Sequence, residues 1–487
     1  MDGVAPGPPR LPIELCERVI EAIYSERFYL VSEALTTLAR CSLICRAWRP
    51  RAQMILFTYV LLKDKEMLHR FAALLDSAPH LGRYVRTLSL RGHHHRPDST
   101  VVLFPTVLRN RLPSLVRLSI AEEQAATPEV DSEPSPVKKP PPCLPIHPRF
   151  SSLIAPFAHV RELNLSNTNF PSFGDLCRIL DRLSGLREIL ALSVSYNVLG
   201  LLPQCVLKNV CGGTSKRFLP NLRALLCYDM GEEGAQRLTA ALGPSLLKLW
   251  VKFPNEPVVP KVGPAASVLD NNSELPVGFD LQQFTNLTHL GFRLGPGLRD
   301  DTPALEALRA TLLSWSALLS RTSARRPDTQ PGNVKNRYLH LGAWWRAVFT
   351  REDYAALLRA LGAIVEDALV RTTITPGHSS DPPRAQGPSR EASPDADPCS
   401  VTVVIRDLRD RLDWEDWWST QMVGCFPTFS TWNRLIVQVT HAGNPNDLWK
   451  SFDDAPPASA SVALDERERL RLQAIKRATL YRGQVLN

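Results

Sequence analysis

Long apolar runs, paired cysteines and enzyme signatures are what this sequence has least of. No stretch approaches the roughly 20 uninterrupted apolar residues that a membrane span needs. Residues Met1 to Pro12 lack the basic-then-apolar order of a secretory signal. The chain is therefore expected to work in the cytoplasm and/or nucleus, with no membrane partner. Ten cysteines without paired spacings fit buried thiols of a reducing compartment and not a disulfide framework. The sequons at Asn164 and Asn286 would then stay unmodified. Glycine is scarce beside proline, 25 against 41, so stiff and broken connections should be common.

Chemistry-bearing patterns are equally sparse. There is no GxSxG elbow and no HExxH helix, and CGGTSKR at 211–217 lacks the upstream glycine and the Lys-Ser/Thr order of a phosphate loop. Cys41 and Cys45 sit one helical turn apart, but a structural zinc needs four ligands and the next cysteine is Cys143. Core packing is the better account of the pair. His93, His94 and His95 follow a strand phrase and read as a loop. Asp413, Glu415 and Asp416 lie among Trp414, Trp417 and Trp418, where paired carboxylates would suit a sugar cleft, yet an amphipathic helix explains the spacing as well. No cofactor, metal or catalytic residue is expected.

The formal charge is +8, and residues 61–120 carry much of it, with ten Lys or Arg against four Asp or Glu. Those charges are interspersed through apolar phrases instead of clustering on one face with aromatics between them, which weighs against nucleic acid and favours a solvated face, with an acidic protein partner second.

The order of the chain is more informative than its bulk. After a Pro- and Gly-rich start, Leu11-Pro12-Ile13-Glu14-Leu15 opens a helix, with Pro12 and Glu14 both suited to a first turn. Leu15, Val19 and Ile23 fall on one face with Ile20 beside them. A second helical stretch over 32–53 places Leu38, Cys41, Cys45 and Trp48 on one stripe, and Pro50 is expected to end or bend it. About 45 residues of short helices bury little surface alone, so such a module normally needs a partner for its second apolar face.

The combination of LPIEL with CSLICRAWRPRAQMILF, covering residues 8–57, resembles the F-box family, whose pattern runs Leu-Pro-x-Glu-Leu, then Cys-x-Leu-Val-Cys-Arg-x-Trp, then Leu-Phe. Ile44 stands where the family has Val, and the gap between the halves is longer than typical. The resemblance implies docking on a Skp-type adaptor and, through it, on a cullin-RING ubiquitin ligase. By motif position it assigns apolar adaptor contacts to Leu11, Pro12, Leu15, Ile20, Leu43 and Trp48, and places Leu38, Cys45 and Leu56 inside the module.

Within a domain expected over 58–450, the chain repeats from residue 58 to about 294 an apolar phrase of the kind that forms the strand of leucine-rich repeats. It occurs as Val85-Leu88-Leu90, Leu115-Leu118-Ile120, Val160-Leu163-Leu165, Leu186-Ile189-Ala191, Leu222-Leu225-Cys227, Leu246-Leu249-Val251 and Leu287-Leu290-Phe292. Helical patterns lie between the phrases, over 67–75, 173–183 and 234–242. Each unit is expected to be one strand and one helix, stacked into a parallel sheet with the helices outside. The Asn that usually follows the strand is mostly absent, apart from Asn167 or Asn169. The steps between phrases are irregular, with Pro-rich insertions at 121–149, 254–278 and 376–400. Past the array, 344–369 reads as helix, Val401-Val403-Ile405 as a strand and Trp432-Leu435-Val437 as a last phrase. Residues 462–487 read as a charged C-terminal helix.

The fold class expected is thus α/β, a helical F-box module followed by an irregular leucine-rich-repeat-like solenoid. The function implied is a non-enzymatic substrate receptor of a ubiquitin ligase, whose repeats bind a target protein. Trp344, Trp345, Trp414, Trp417 and Trp418 are weak candidates for that contact, since Trp is over-represented at binding hot spots. Two other readings stay open: a leucine-rich interaction scaffold without any ligase, and a hydrolase in the acidic, tryptophan-rich C-terminal region.

Overall fold

The computed structural model describes residues 12–23, 31–92, 96, 98–122, 143–192, 194–198, 218–227, 230, 232–252, 279–294, 303–324, 337–343, 351–370, 401–408, 420–421, 423–432 and 434–440. The chain divides into two compact units, residues 1–252 with 283–287, and residues 253–282 with 288–487. Both are mixed α/β and built on parallel strands.

The first unit opens with three helices, α1 (Ile13–Ile23), α2 (Val31–Ile44) and α3 (Arg49–Thr58). The Pro12 carbonyl accepts the Leu15 and Cys16 N–H groups at 3.1 and 3.2 Å, so the proline starts α1 where its missing donor costs nothing. The single stretch expected over 32–53 is two helices, separated at Cys45 to Trp48. Pro50 does not end a helix; it lies in the first turn of α3, the place a helix tolerates proline best. This break also turns Cys45 outward, so the expected interior stripe is interrupted after Cys41 and resumes with Trp48, which packs partly against the core.

The rest of the unit alternates strand and helix: β1 (Tyr59–Leu62), α4 (Lys65–Ser77), β2 (Thr87–Gly92), α5 (Thr100–Val107), β3 (Arg117–Glu122), α6 (Phe150–Ile154), β4 (Glu162–Ser166), β5 (Asn169–Ser172), α7 (Phe173–Arg182), β6 (Glu188–Leu192), β7 (Ser195–Val198), β8 (Ala224–Cys227), α8 (Glu232–Ala241) and β9 (Lys248–Lys252). Strands pair in the order β1-β2-β3-β4-β6-β8-β9, all parallel. Strands added in one direction by right-handed crossovers put their helices on one face. In keeping with this, α4, α5, α6 and α7 pack side by side in chain order. Ser172 caps α7 by accepting the Asp175 N–H at 3.0 Å, and Asp64 caps α4 through Met67 at 2.7 Å.

Register explains why the apolar phrase recurs. Leu88, Leu118, Leu163, Ile189, Leu225 and Leu249 stand opposite one another in a single buried column. Two residues on, Leu90, Ile120, Leu165, Ala191, Cys227 and Val251 form a second. The first apolar residue of each phrase, from Val85 to Leu246, is also buried. A slip of one residue would turn every column to the other face, so the sheet has one register. Between phrases the Asn221 side chain donates to the Ser184 carbonyl at 3.2 Å and that of Asn286 to the Pro244 carbonyl at 2.9 Å, each reaching back to the preceding turn. Strands β5 and β7 make a separate parallel pair. Asn169, 5% exposed, joins them by accepting from Ser195 Oγ at 3.1 Å and donating to Asn197 at 3.2 Å.

The second unit carries β10 (His289–Leu294), α9 (Pro303–Ala324), β11 (Arg337–Ala343), α10 (Arg351–Leu369), β12 (Val401–Leu408), α11 (Pro427–Thr431) and β13 (Leu435–Thr440). Strands β10 to β13 pair in chain order and in parallel. Helices α9 and α10 pack together, with Arg309 paired to Asp367 at 2.9 Å, and Trp315 of α9 is fully buried. Glu366 of α10 accepts the Thr428 N–H at the start of α11.

Of the expected insertions, 254–278 and 376–400 lie outside the described residues, as does the C-terminal helix over 462–487. The first is narrower than 121–149. Residues 143–149 belong to the packed structure: Leu144 is buried and its N–H donates to the Asn169 carbonyl at 2.8 Å. The helix expected over 344–369 is described from Arg351 onward.

Candidate docking surface on the helical trio

Helices α1 to α3 share a small core of Ile20, Leu38, Cys41, Ala52 and Ile55, with Ile23, Trp48, Met54 and Leu56 packed partly against it. Arg51 of α3 pairs with Glu21 of α1, and Arg49 reaches the Ser42 carbonyl at 3.4 Å across the α2–α3 break. Those contacts hold the trio together while leaving much of its apolar surface outside.

Helical geometry shows how. At about 100° per residue, the apolar arc of α1 spans roughly half its circumference, from Leu15 through Val19 to Ile20 and Ile13. Cys16 and Ile20, near one side of that arc, are buried, whereas Leu15 and Val19, a turn apart on the other flank, are exposed. Pro12, exposed, lies on the same flank. In α2, Leu38 and Cys41 face the core, while Leu43 and Ile44 at its C-terminus point away, Leu43 at 78% exposure. Ile13, Leu15, Val19, Leu43 and Ile44 are five of the ten large apolar side chains exposed among the described residues. Apolar side chains left exposed together on a protein surface are characteristic of an interface.

Set beside the expected contacts, Pro12, Leu15 and Leu43 are exposed, and Trp48 is half-buried against the trio. Ile20 is a correction. It is fully buried at the centre of the trio and so packs the module instead of reaching outward. Leu11 lies outside the described residues. Of the residues expected inside, Leu38 is buried, Leu56 packs against the core and Cys45 is exposed. Ile13, Val19 and Ile44 belong to the exposed set although the motif did not single them out. The spacing of Val19 one turn after Leu15 was the available signal.

Elsewhere the described residues offer little chemistry. No group of three or more His, Cys, Asp or Glu side chains among them is placed to hold a metal ion. The space between the sheet and α5 to α7 is lined by apolar side chains, including Val101, Ile120, Phe150, Leu165 and Phe170, which give a ligand nothing to orient it. Burial pushes the Cys227 thiol up to about 12 and raises that of Cys425, although Arg359 opposes the latter, so neither is a poised nucleophile. Trp344, Trp345, Trp414, Trp417 and Trp418 lie outside the described residues, as do Asp413, Glu415, Asp416, the histidines 93–95 and the segment 211–217. No helix among the described residues is long and apolar enough to cross a membrane.

No protein-family model matches the chain, and no curated protein matches it.

Proposed function

We propose that the helical trio is an F-box, that its exposed apolar flank docks on a Skp-type adaptor, and that the parallel strand-helix array is a divergent leucine-rich-repeat-like domain which holds a target protein. On this reading the chain is the substrate-recognition subunit of a cullin-RING ubiquitin ligase, acting in the cytoplasm or nucleus. It performs no bond chemistry. Its contribution is to hold a target lysine near the ubiquitin-loaded enzyme, turning an encounter between separate molecules into one at high effective concentration.

The observation that carries the reading is the exposed set Leu15, Val19, Leu43 and Ile44 on a module whose sequence resembles the F-box pattern. Fully burying such side chains yields about 1.5–3 kcal/mol each, so covering the flank supplies several kcal/mol toward association before its entropic cost.

Copurification of the full chain with the adaptor tests this, beside the double variant Leu15→Asp/Leu43→Asp. Both substituted side chains are exposed, so the variant keeps its fold. Wild type is expected to bring the adaptor down and the variant to lose it. A folded wild type that fails to bind overturns the ligase reading and leaves an interaction scaffold.

A further inference from the structure

One register position just ahead of the strands collects arginines. The residues immediately before β2, β4, β6 and β8 are Arg86, Arg161, Arg187 and Arg223, and all four side chains are exposed. The equivalent residue before β3 is Val116, and before β9 it is Leu247. Four arginines therefore stand in one file along the N-terminal edge of the sheet, three of them on consecutive strands.

Their backbones are fixed. The Arg86 carbonyl accepts the N–H groups of both Val116 and Arg117, at 2.8 and 2.9 Å. That of Arg161 accepts from Arg187 and Glu188 at 2.7 and 3.0 Å, that of Arg187 from Arg223 and Ala224 at 2.7 and 3.0 Å, and that of Arg223 from Leu247 and Lys248 at 2.7 and 2.9 Å. Neighbouring strands lie roughly 4.8 Å apart, so Arg161, Arg187 and Arg223 project from points spaced by that interval, and the file from Arg86 to Arg223 runs about 19 Å.

Like charges at such spacing repel, and the usual remedy is an interleaved carboxylate. Arg117, one residue further along, has one in Glu162. Among the described residues, no ion pair joins Arg86, Arg161, Arg187 or Arg223 to a carboxylate.

We infer that this file is a docking surface for an acidic or phosphorylated protein segment in extended conformation. An extended chain rises about 3.3 Å per residue, so about six residues match the length of the file. Guanidinium forks pair with carboxylate and phosphate in bidentate fashion, and the hydrogen-bonded backbone fixes the spacing at which they are presented. Stacking platforms for nucleic-acid bases are absent from the file itself, whose other members in the first unit are Thr58, Val116 and Leu247. The surface is separate from the apolar flank of the trio, so this inference does not depend on the adaptor reading.

Fluorescence anisotropy of a labelled short poly-glutamate peptide, with and without a phosphoserine, tests it against the full chain. The variant is Arg161→Glu/Arg187→Glu/Arg223→Glu. The control is Arg70→Glu/Arg109→Glu/Arg182→Glu, which makes the same charge change at exposed arginines in or beside the connecting helices. Circular dichroism verifies that both fold. Wild type is expected to bind in a salt-sensitive manner, the file variant to lose at least about tenfold, and the control to stay within about threefold, as a localised charge contact requires. Equal loss in both variants, no binding of either peptide by wild type, or preferential binding of an oligo-uridine of equal charge would overturn the inference.

Discussion

The backbone N–H of Gly185 donates to the Ala158 carbonyl at 2.9 Å, and a Cβ on Gly185 would run into that same oxygen. The turn before β6 is thus in backbone-to-backbone contact with the turn before β4, with no room for a side chain. Gly185→Ala is expected to destabilise the first unit by about 1–3 kcal/mol, the cost of forcing apart a close-packed contact. A urea midpoint unchanged from wild type would show that the turn can shift at no cost.

Ile20 and Leu43 separate the core of the trio from its exposed surface. Ile20→Ala removes a fully buried side chain and should cost about 2–5 kcal/mol, unfolding the trio before any partner is considered. Leu43→Ser alters a side chain at 78% exposure and should leave stability within about 0.5 kcal/mol of wild type. Thermal unfolding of both variants checks the pair, and similar losses would mean that Leu43 is part of the core.

The Ser172 hydroxyl accepts the Asp175 N–H at the start of α7 and also donates to its carboxylate at 2.6 Å. Ser172→Ala should cost about 1 kcal/mol, while Ser172→Gly should cost only a few tenths through capping alone. Chemical denaturation of the two variants resolves the difference.

The Cys227 thiol titrates at about 12 in the fold, against an ordinary 9.0, because burial disfavours its thiolate. Between those values the unfolded chain has released the proton and the folded chain keeps it. Stability therefore falls as pH rises above about 9, and the contribution is fully present below it. Cys227→Ala should flatten that decline relative to wild type when urea midpoints are compared across the alkaline range. In native-state thiol labelling, among the described cysteines, exposed Cys45 should react first and Cys227 last.

Much of the architecture was legible because the sheet repeats its demands. Every phrase from Val85 to Phe292 marks a strand, since three inward positions per strand must be apolar whatever happens between them. The elements missed have particular causes. Phe57-Val60-Leu62 is a phrase as well, but Phe57 also closes the F-box-like pattern, which masks β1 in the sequence. Strand β11 buries Leu339 and Leu341, yet the residue three before Leu339 is the polar Asn336, so the phrase is broken. At the candidate docking surface, the motif and its helical spacing located the module but did not divide its faces. Ile20 and Leu15 carry equivalent side chains on the same apolar arc, and only the packing of α2 and α3 decides which is covered.

Helix α3 ends at Thr58 and β1 begins at Tyr59, with no linker between them. The Thr58 hydroxyl donates back to Met54 while its carbonyl accepts the Arg86 N–H, so the junction is hydrogen-bonded on both sides. The trio and the start of the sheet are thereby spliced without a swivel. Whatever grips the trio also sets the heading of the first strands, and aim as well as distance becomes a property of the chain.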